Sequence, residues 1–187
     1  MKFDWRAAAG VARGALRGRF WLRWALATLI GWTAGLYLGV WTMRTPLLCG
    51  GWPLVGAAVG AAQWLALRGV WPVQARRYVF ASAAASLAGI TLALLLAGLG
   101  IFGLEVWAIG AGAAIGGSVG VAQGWVLGAN GQRWVIANLV GGGLCGLLTI
   151  TSIIGGLPVG LAVGSALFGA LTGWALSRSA PATHDRK

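Results

Sequence analysis

The charged residues between positions 20 and 176, Arg23, Arg44, Arg68, Arg76, Arg77, Glu105 and Arg133, all stand at the edges of long apolar runs or between them. Those runs extend over about 20–41, 52–67, 78–100, 106–127, 134–154 and 158–176. Most reach the roughly 20 residues that cross a bilayer as helix. With 58% hydrophobic and 9% charged residues and a mean hydropathy of +0.81, the composition lies far from soluble domains, in which about a quarter of residues are charged. A net charge of +11 would suggest a nucleic-acid partner if the basic residues were clustered, but their positions argue for a bilayer. Lys2, Arg6, Arg13, Arg17, Arg19 and Arg23 precede or open the first run, and Arg68, Arg76 and Arg77 fall between the second and third. Arg133 precedes the fifth, Arg178, Arg186 and Lys187 follow the sixth, and Arg44 alone falls on the other side. That asymmetry is the positive-inside pattern and predicts cytoplasmic N- and C-termini with regular alternation of six spans. The first run lacks a small-residue cleavage site and follows a long basic segment, so a retained signal-anchor is expected.

Within this pattern the chain repeats. Arg23-Trp24-x-x-Ala27-Thr28 returns as Arg77-Tyr78-x-x-Ala81-Ser82 and as Arg133-Trp134-x-x-Ala137-Asn138, with starts 54 and 56 residues apart. Each phrase opens a pair of apolar runs. Every copy starts on the same side, so the copies are parallel repeats, of the kind arranged about an axis along the membrane normal. The expected fold is an all-α transmembrane six-helix bundle made of three helical hairpins in approximate pseudo-threefold arrangement. Its parts are a basic juxtamembrane arm (1–19), one transmembrane domain (20–178, repeats at about 20–68, 77–127 and 133–178) and a short disordered tail (179–187). The arm reads as a solvated tail; Arg6, Arg13 and Arg17 share a helical face, and attachment to an anionic leaflet is the alternative.

The second run of the first two repeats carries Gly-x-x-x-Gly-x-x-Gln, at Gly56/Gly60/Gln63 and Gly116/Gly120/Gln123; the third has Ser165, Gly169 and Thr172 in those places. Gly112, Gly116, Gly120, Gly124 and Gly128 recur every four residues, laying a smooth stripe along one helix face. Shorter stripes run through Gly31/Gly35/Gly39, Gly160/Gly164 and Gly169/Gly173. Small residues at this spacing drive close helix association in lipid. A glycine-lined conduit is the competing reading.

Polar side chains within the runs are few, and an unpaired polar group in hydrocarbon costs several kcal/mol. Thr28, Ser82 and Asn138 each stand five residues after the repeat arginine, about 7.5 Å along a helix. Gln63 stands five residues before Arg68 and approaches the same end from the opposite direction, with Gln123 and Thr172 as its counterparts. Six hydrogen-bonding side chains are therefore expected in one layer near the cytoplasmic end. The layer reads either as an interhelical lock that fixes register or as a lining for a small polar solute.

Arg23/Trp24, Arg77/Tyr78 and Arg133/Trp134 place a cation beside an aromatic and read as interfacial anchors, joined by Trp21, Trp64, Trp71, Trp125 and Trp174. Trp41, Trp52 and Trp107 form the outer belt, and Trp32 lies within the first run as a packing aromatic, with ligand stacking as the alternative. Cys49 and Cys145 fall at different depths, so no bridge between them is expected. Asp4, Glu105 and Asp185 are the only acids and His184 the only histidine. No acid–base pair, metal centre or cofactor site can be assembled from residues so placed. Glu105 is expected to favour the N-terminus of the fourth helix.

The phrases Gly56-Ala-Ala-Val-Gly60-Ala-Ala-Gln63-Trp64-Leu-Ala-Leu67-Arg68 and Arg133-Trp134-Val-Ile-Ala137-Asn138 resemble a loose group of bacterial multi-pass membrane proteins of uncharacterised activity, built from Gly-x-x-x-Gly-x-x-Gln-Trp hairpins. The resemblance covers roughly residues 20–178 and implies an integral membrane protein of the bacterial cytoplasmic membrane, with no activity attached. Gly124 before Trp125, Gly128 in place of the arginine and Thr172 in place of the third glutamine depart from that pattern. Two functions are expected from different classes: a non-catalytic structural or accessory component, as a subunit of a larger membrane complex, or a channel, facilitator or transporter subunit for a small neutral solute. The partners expected are a bilayer with an anionic inner leaflet and other membrane subunits, and no nucleic acid.

Overall fold

The computed structural model describes residues 5–43, 51–68, 73–98, 100, 103–127, 131–155 and 159–178. Among them it contains six α-helices: α1 (Trp5–Met43), α2 (Gly51–Leu67), α3 (Ala75–Gly98), α4 (Leu104–Leu127), α5 (Gly131–Ile154) and α6 (Gly160–Arg178). The helices follow the apolar runs, and every interval between them contains glycine, joined in some by charge or proline. After α3, Gly100 takes a positive φ of 64° and its N–H bonds the carbonyl of Ala97 at 3.0 Å; only glycine enters that conformation without strain.

Ala75–Gly98, Leu104–Leu127, Gln132–Ser152 and Gly160–Ser177 are each long and apolar enough to cross a membrane. Against the six spans expected from the runs, α2 is an apolar helix of 17 residues, at the short limit for a span. The first run is the C-terminal part of α1, a single helix of 39 residues, about 58 Å long at 1.5 Å per residue. Its helix continues through the basic arm to Trp5, so most of the arm is helical. The side chains of the arm, Cys49, Trp71, Gly128 and the segment 179–187 lie outside the described residues.

Among the described residues each helix packs on its neighbours in sequence, and α6 returns to pack on α1. Across the middle, backbones do not approach one another, and non-neighbouring helices meet through side chains alone. The result is a closed ring of six helices in chain order.

Glycine permits this ring to be narrow. A methyl group built onto Gly31 or Gly35 would stand 2.7 Å from Val59 Cα or 2.8 Å from Val55 Cα, placing α1 on α2 at backbone distance. At Gly89 it would meet Ile115 Cα at 2.5 Å, between α3 and α4, and at Gly164 it would meet Cys145 Cα at 2.9 Å, between α5 and α6. The stripe on α4 meets α5 closely over several turns. Methyl groups at Gly112 and Gly116 would collide with the carbonyls of Gly142 and Asn138, and one at Gly120 would stand 2.7 Å from Asn138 Cβ. Helices approaching this closely gain dispersion contacts along their whole length, which is what holds bundles together where no water is expelled.

The outside of the ring is apolar. Tyr37, Phe80, Leu95, Leu65, Ile30 and Trp125 all project outward, Trp125 being 85% exposed. So large an exposed apolar surface suits a lipid environment.

Candidate functional site

The interior of the ring is built in three tiers. At the end that bears the arginines, Trp24, Tyr78 and Trp134 lie with Leu67, Leu127 and Leu176 in one buried cluster, to which Phe20 and Ala175 belong. Trp24 and Trp134 meet edge to face, with ring centroids 5.8 Å apart. The three phrase aromatics are 0% exposed, which corrects the expectation that they anchor the bundle at a lipid–water interface. The reason is rotation along the helix: consecutive residues are turned by about 100°, so Arg23, Arg77 and Arg133 are exposed while the ring that follows each points inward. Trp21, Trp125 and Trp174 do face outward. Trp64 is half-buried; its indole N–H donates to the Val73 carbonyl at 3.1 Å, and the Arg68 guanidinium stands 5.9 Å from its ring.

Next comes the polar tier. Thr28, Gln63, Ser82, Gln123, Asn138 and Thr172, the six residues that the repeat spacing singles out, are all buried, none more than 1% exposed. Gln63 Nε2 donates to Thr28 Oγ1 at 3.1 Å, joining α2 to α1. Gln123 Nε2 donates to Ser82 Oγ at 2.9 Å and to Gln63 Oε1 at 2.8 Å, the second bond crossing from α4 to α2. Two residues that the sequence reading places among the anchors complete the tier. Tyr78 Oη donates to Gln63 Oε1 at 3.3 Å, and Trp24 Nε1 donates to Thr172 Oγ1 at 2.9 Å. Asn138 stays on its own helix, with Nδ2 donating to the Trp134 carbonyl at 2.9 Å.

Beyond the polar tier the ring borders a partly open cavity of about 490 Å³, with residues of all six helices around it. Ser82 and Ser86 border it from α3, and Trp32, Trp52 and Trp107 contribute indoles. The rest of its wall is mostly alkyl or glycine, as at Val55, Val59, Ile90 and Ile115, with Cys145, Thr149 and Phe168 completing it. Trp32 thus borders the cavity, and Trp52 and Trp107, expected in the outer belt, border the same space. Sequence spacing gave no sign of this cavity. The clue available was the run of alanine and glycine at Ala108, Ala111, Gly112, Gly142 and Gly146, side chains too small to fill the middle of a six-helix ring.

Among the described residues the polar groups buried in the ring are hydroxyls, amides, indoles and a thiol. Cys145 is a buried free thiol bordering the cavity, and Glu105 lies exposed in the first turn of α4, where its charge favours the helix terminus. Asp4, His184 and Asp185 lie outside the described residues. Comparison with protein-family models, with curated proteins and with solved structures gave no match.

Proposed function

We propose that this chain is a non-catalytic multi-pass protein of the bacterial cytoplasmic membrane that holds a small, neutral, largely apolar molecule inside its ring, as an accessory or substrate-binding subunit of a larger membrane assembly. The arrangement belonging to this reading is three parallel hairpins about a pseudo-threefold axis, with both termini cytoplasmic and the exposed arginines against the anionic inner leaflet. The observation that carries it is the cavity itself: a 490 Å³ space bordered by all six helices, in the size range of small-molecule sites. Its neutral, nearly apolar wall suits a guest without charge, because an unpaired ion would lose its hydration there.

A channel is less well supported. Trp24, Tyr78, Trp134, Leu67, Leu127 and Leu176 fill the arginine end in a buried cluster, and the hydrogen-bonded tier lies directly behind it. Continuous conduction would require those side chains to separate. A purely structural role is the second reading, favoured by the bonds that tie α1, α2, α3 and α4 together across the polar tier.

The test is to purify the chain in lipid nanodiscs and extract it with organic solvent for mass spectrometry, beside Ala111→Phe, which places a ring in the cavity. A neutral molecule retained by the wild-type chain and lost from a variant of unchanged thermal stability is the expected result. Identical extracts from the two proteins would leave the structural reading. Saturable solute flux in reconstituted vesicles, abolished by Gln63→Leu and Gln123→Leu, would replace both with transport.

A further inference from the structure

The polar tier follows a rule that holds at two of its three aromatic positions. Where α3 meets α2, the phrase aromatic Tyr78 donates to Gln63 Oε1. Where α1 meets α6, the phrase aromatic Trp24 donates to Thr172 Oγ1. Where α5 meets α4, the equivalent bond would run from Trp134 Nε1 to Gln123 Oε1. Both atoms are buried without a hydrogen-bond partner among the described residues.

A second rule fails in the same sector. The second-helix glutamine of a repeat donates to the small polar residue of its own first helix, Gln63 to Thr28 and Gln123 to Ser82. In the third repeat that donor would come from position 172, where threonine replaces glutamine. Thr172 gives its hydroxyl proton to its own helix, at the Phe168 carbonyl 2.8 Å away, and Asn138 Oδ1 is left buried with no partner among the described residues.

The three groups belong to one helix contact. A methyl group on Gly124 would stand 3.1 Å from Trp134 Cδ1 and 3.8 Å from its Nε1, and one on Gly120 would stand 3.2 Å from Asn138 Cγ; Gln123 lies between those glycines on α4. Asn138 and Trp134 are one turn apart on α5 and bonded to each other. Leaving three such groups unsatisfied would cost each its desolvation with nothing in return.

We propose that this α4–α5 sector of the polar tier is a binding site for a single water molecule. The inventory selects the ligand. Two amide oxygens require two protons, and one indole N–H requires an acceptor. Water supplies both protons and a lone pair, whereas an alcohol has one proton to give, an ammonium ion has no lone pair for the indole, and a carboxylate has no proton for the oxygens. Buried waters typically make about three such bonds. The water takes the place of the direct bond that the other two aromatics make, and Thr172 is the residue that makes room for it. This site stands apart from the proposed cavity ligand and does not depend on it.

The test uses full-length protein in nanodiscs with 15N-labelled indoles. Trp134→Phe identifies the Trp134 indole signal, and magnetisation transfer from water to that proton is then measured. Transfer typical of a bound water is expected at Trp134 and not at Trp24, whose indole is paired within the protein. In Thr172→Gln the new amide can reach Asn138, and the Trp134 transfer is expected to be lost or strongly reduced. Should Trp134→Phe fail to fold, a density map resolving ordered solvent gives the same decision. A peak within hydrogen-bond distance of all three atoms supports the site. Absence of water transfer, or Trp134 Nε1 bonded directly to Gln123 Oε1, overturns it.

Discussion

The seam between α4 and α5 and the seam between α6 and α1 occupy corresponding places in the ring and are held by different forces. On α4 the residues Gly112, Gly116, Gly120 and Gly124 all face α5, and at two of them the neighbour is backbone carbonyl. On α6 the stripe is divided: Gly160 and Gly164 receive α5, while Gly169 and Gly173 receive Ala25 and Trp24 of α1. There the Trp24 indole closes the seam with a 2.9 Å bond to Thr172, whereas the Trp134 indole finds no partner among the described residues. A long glycine stripe fixes how near two helices come and leaves their register free to adjust by small slides. A shorter stripe with one directional bond fixes register as well. The two seams therefore divide between them what a ring of helices needs, closeness and alignment.

The largest effect should come from breaking closeness. Gly116→Leu drives a side chain into the Asn138 carbonyl and is expected to destabilise the bundle by roughly 3 kcal/mol, read from reversible unfolding in mixed micelles. Gln123→Leu removes two interhelical bonds and should lower stability by about 1–2 kcal/mol in the same assay. Trp24→Phe removes the Trp24–Thr172 bond of the α6–α1 seam while keeping most of the aromatic volume, for about 1 kcal/mol. Tyr78→Phe loses only the longer 3.3 Å bond to Gln63 and should cost about 0.6 kcal/mol. If Trp24→Phe proved more damaging than Gly116→Leu, the distinction between the two seams would fail.

The six helices follow directly from the spacing of charge and apolar residues, and the polar tier follows from positions: Thr28, Ser82 and Asn138 five residues after an arginine, and Gln63 five residues before one. Depth along a helix is a linear quantity, so sequence spacing reports it. Direction around a helix needs the neighbours to be known. That is why Trp24, Tyr78 and Trp134 read as membrane anchors when they are buried in the ring, and why Trp52 and Trp107 read as a belt when they border the cavity. The cavity was hidden for a related reason: small residues announce close packing equally well whether they face a neighbouring helix, as Gly120 does, or border the space in the middle, as Ala111 does. Ring closure depends on contact between the first and last helices, which no local pattern encodes.

Closure in chain order has a consequence for biogenesis. As a chain emerges from its amino end, each helix from α2 onward meets its predecessor at once, but the second face of α1 belongs to α6. Until α6 arrives, Trp24 has no Thr172 to bond, and the surfaces that receive Gly169 and Gly173 remain uncovered. The first helix of the ring to be synthesised is thus the last to be completed, and a nascent chain interrupted before α6 would present an adhesive edge to whatever helix passes next.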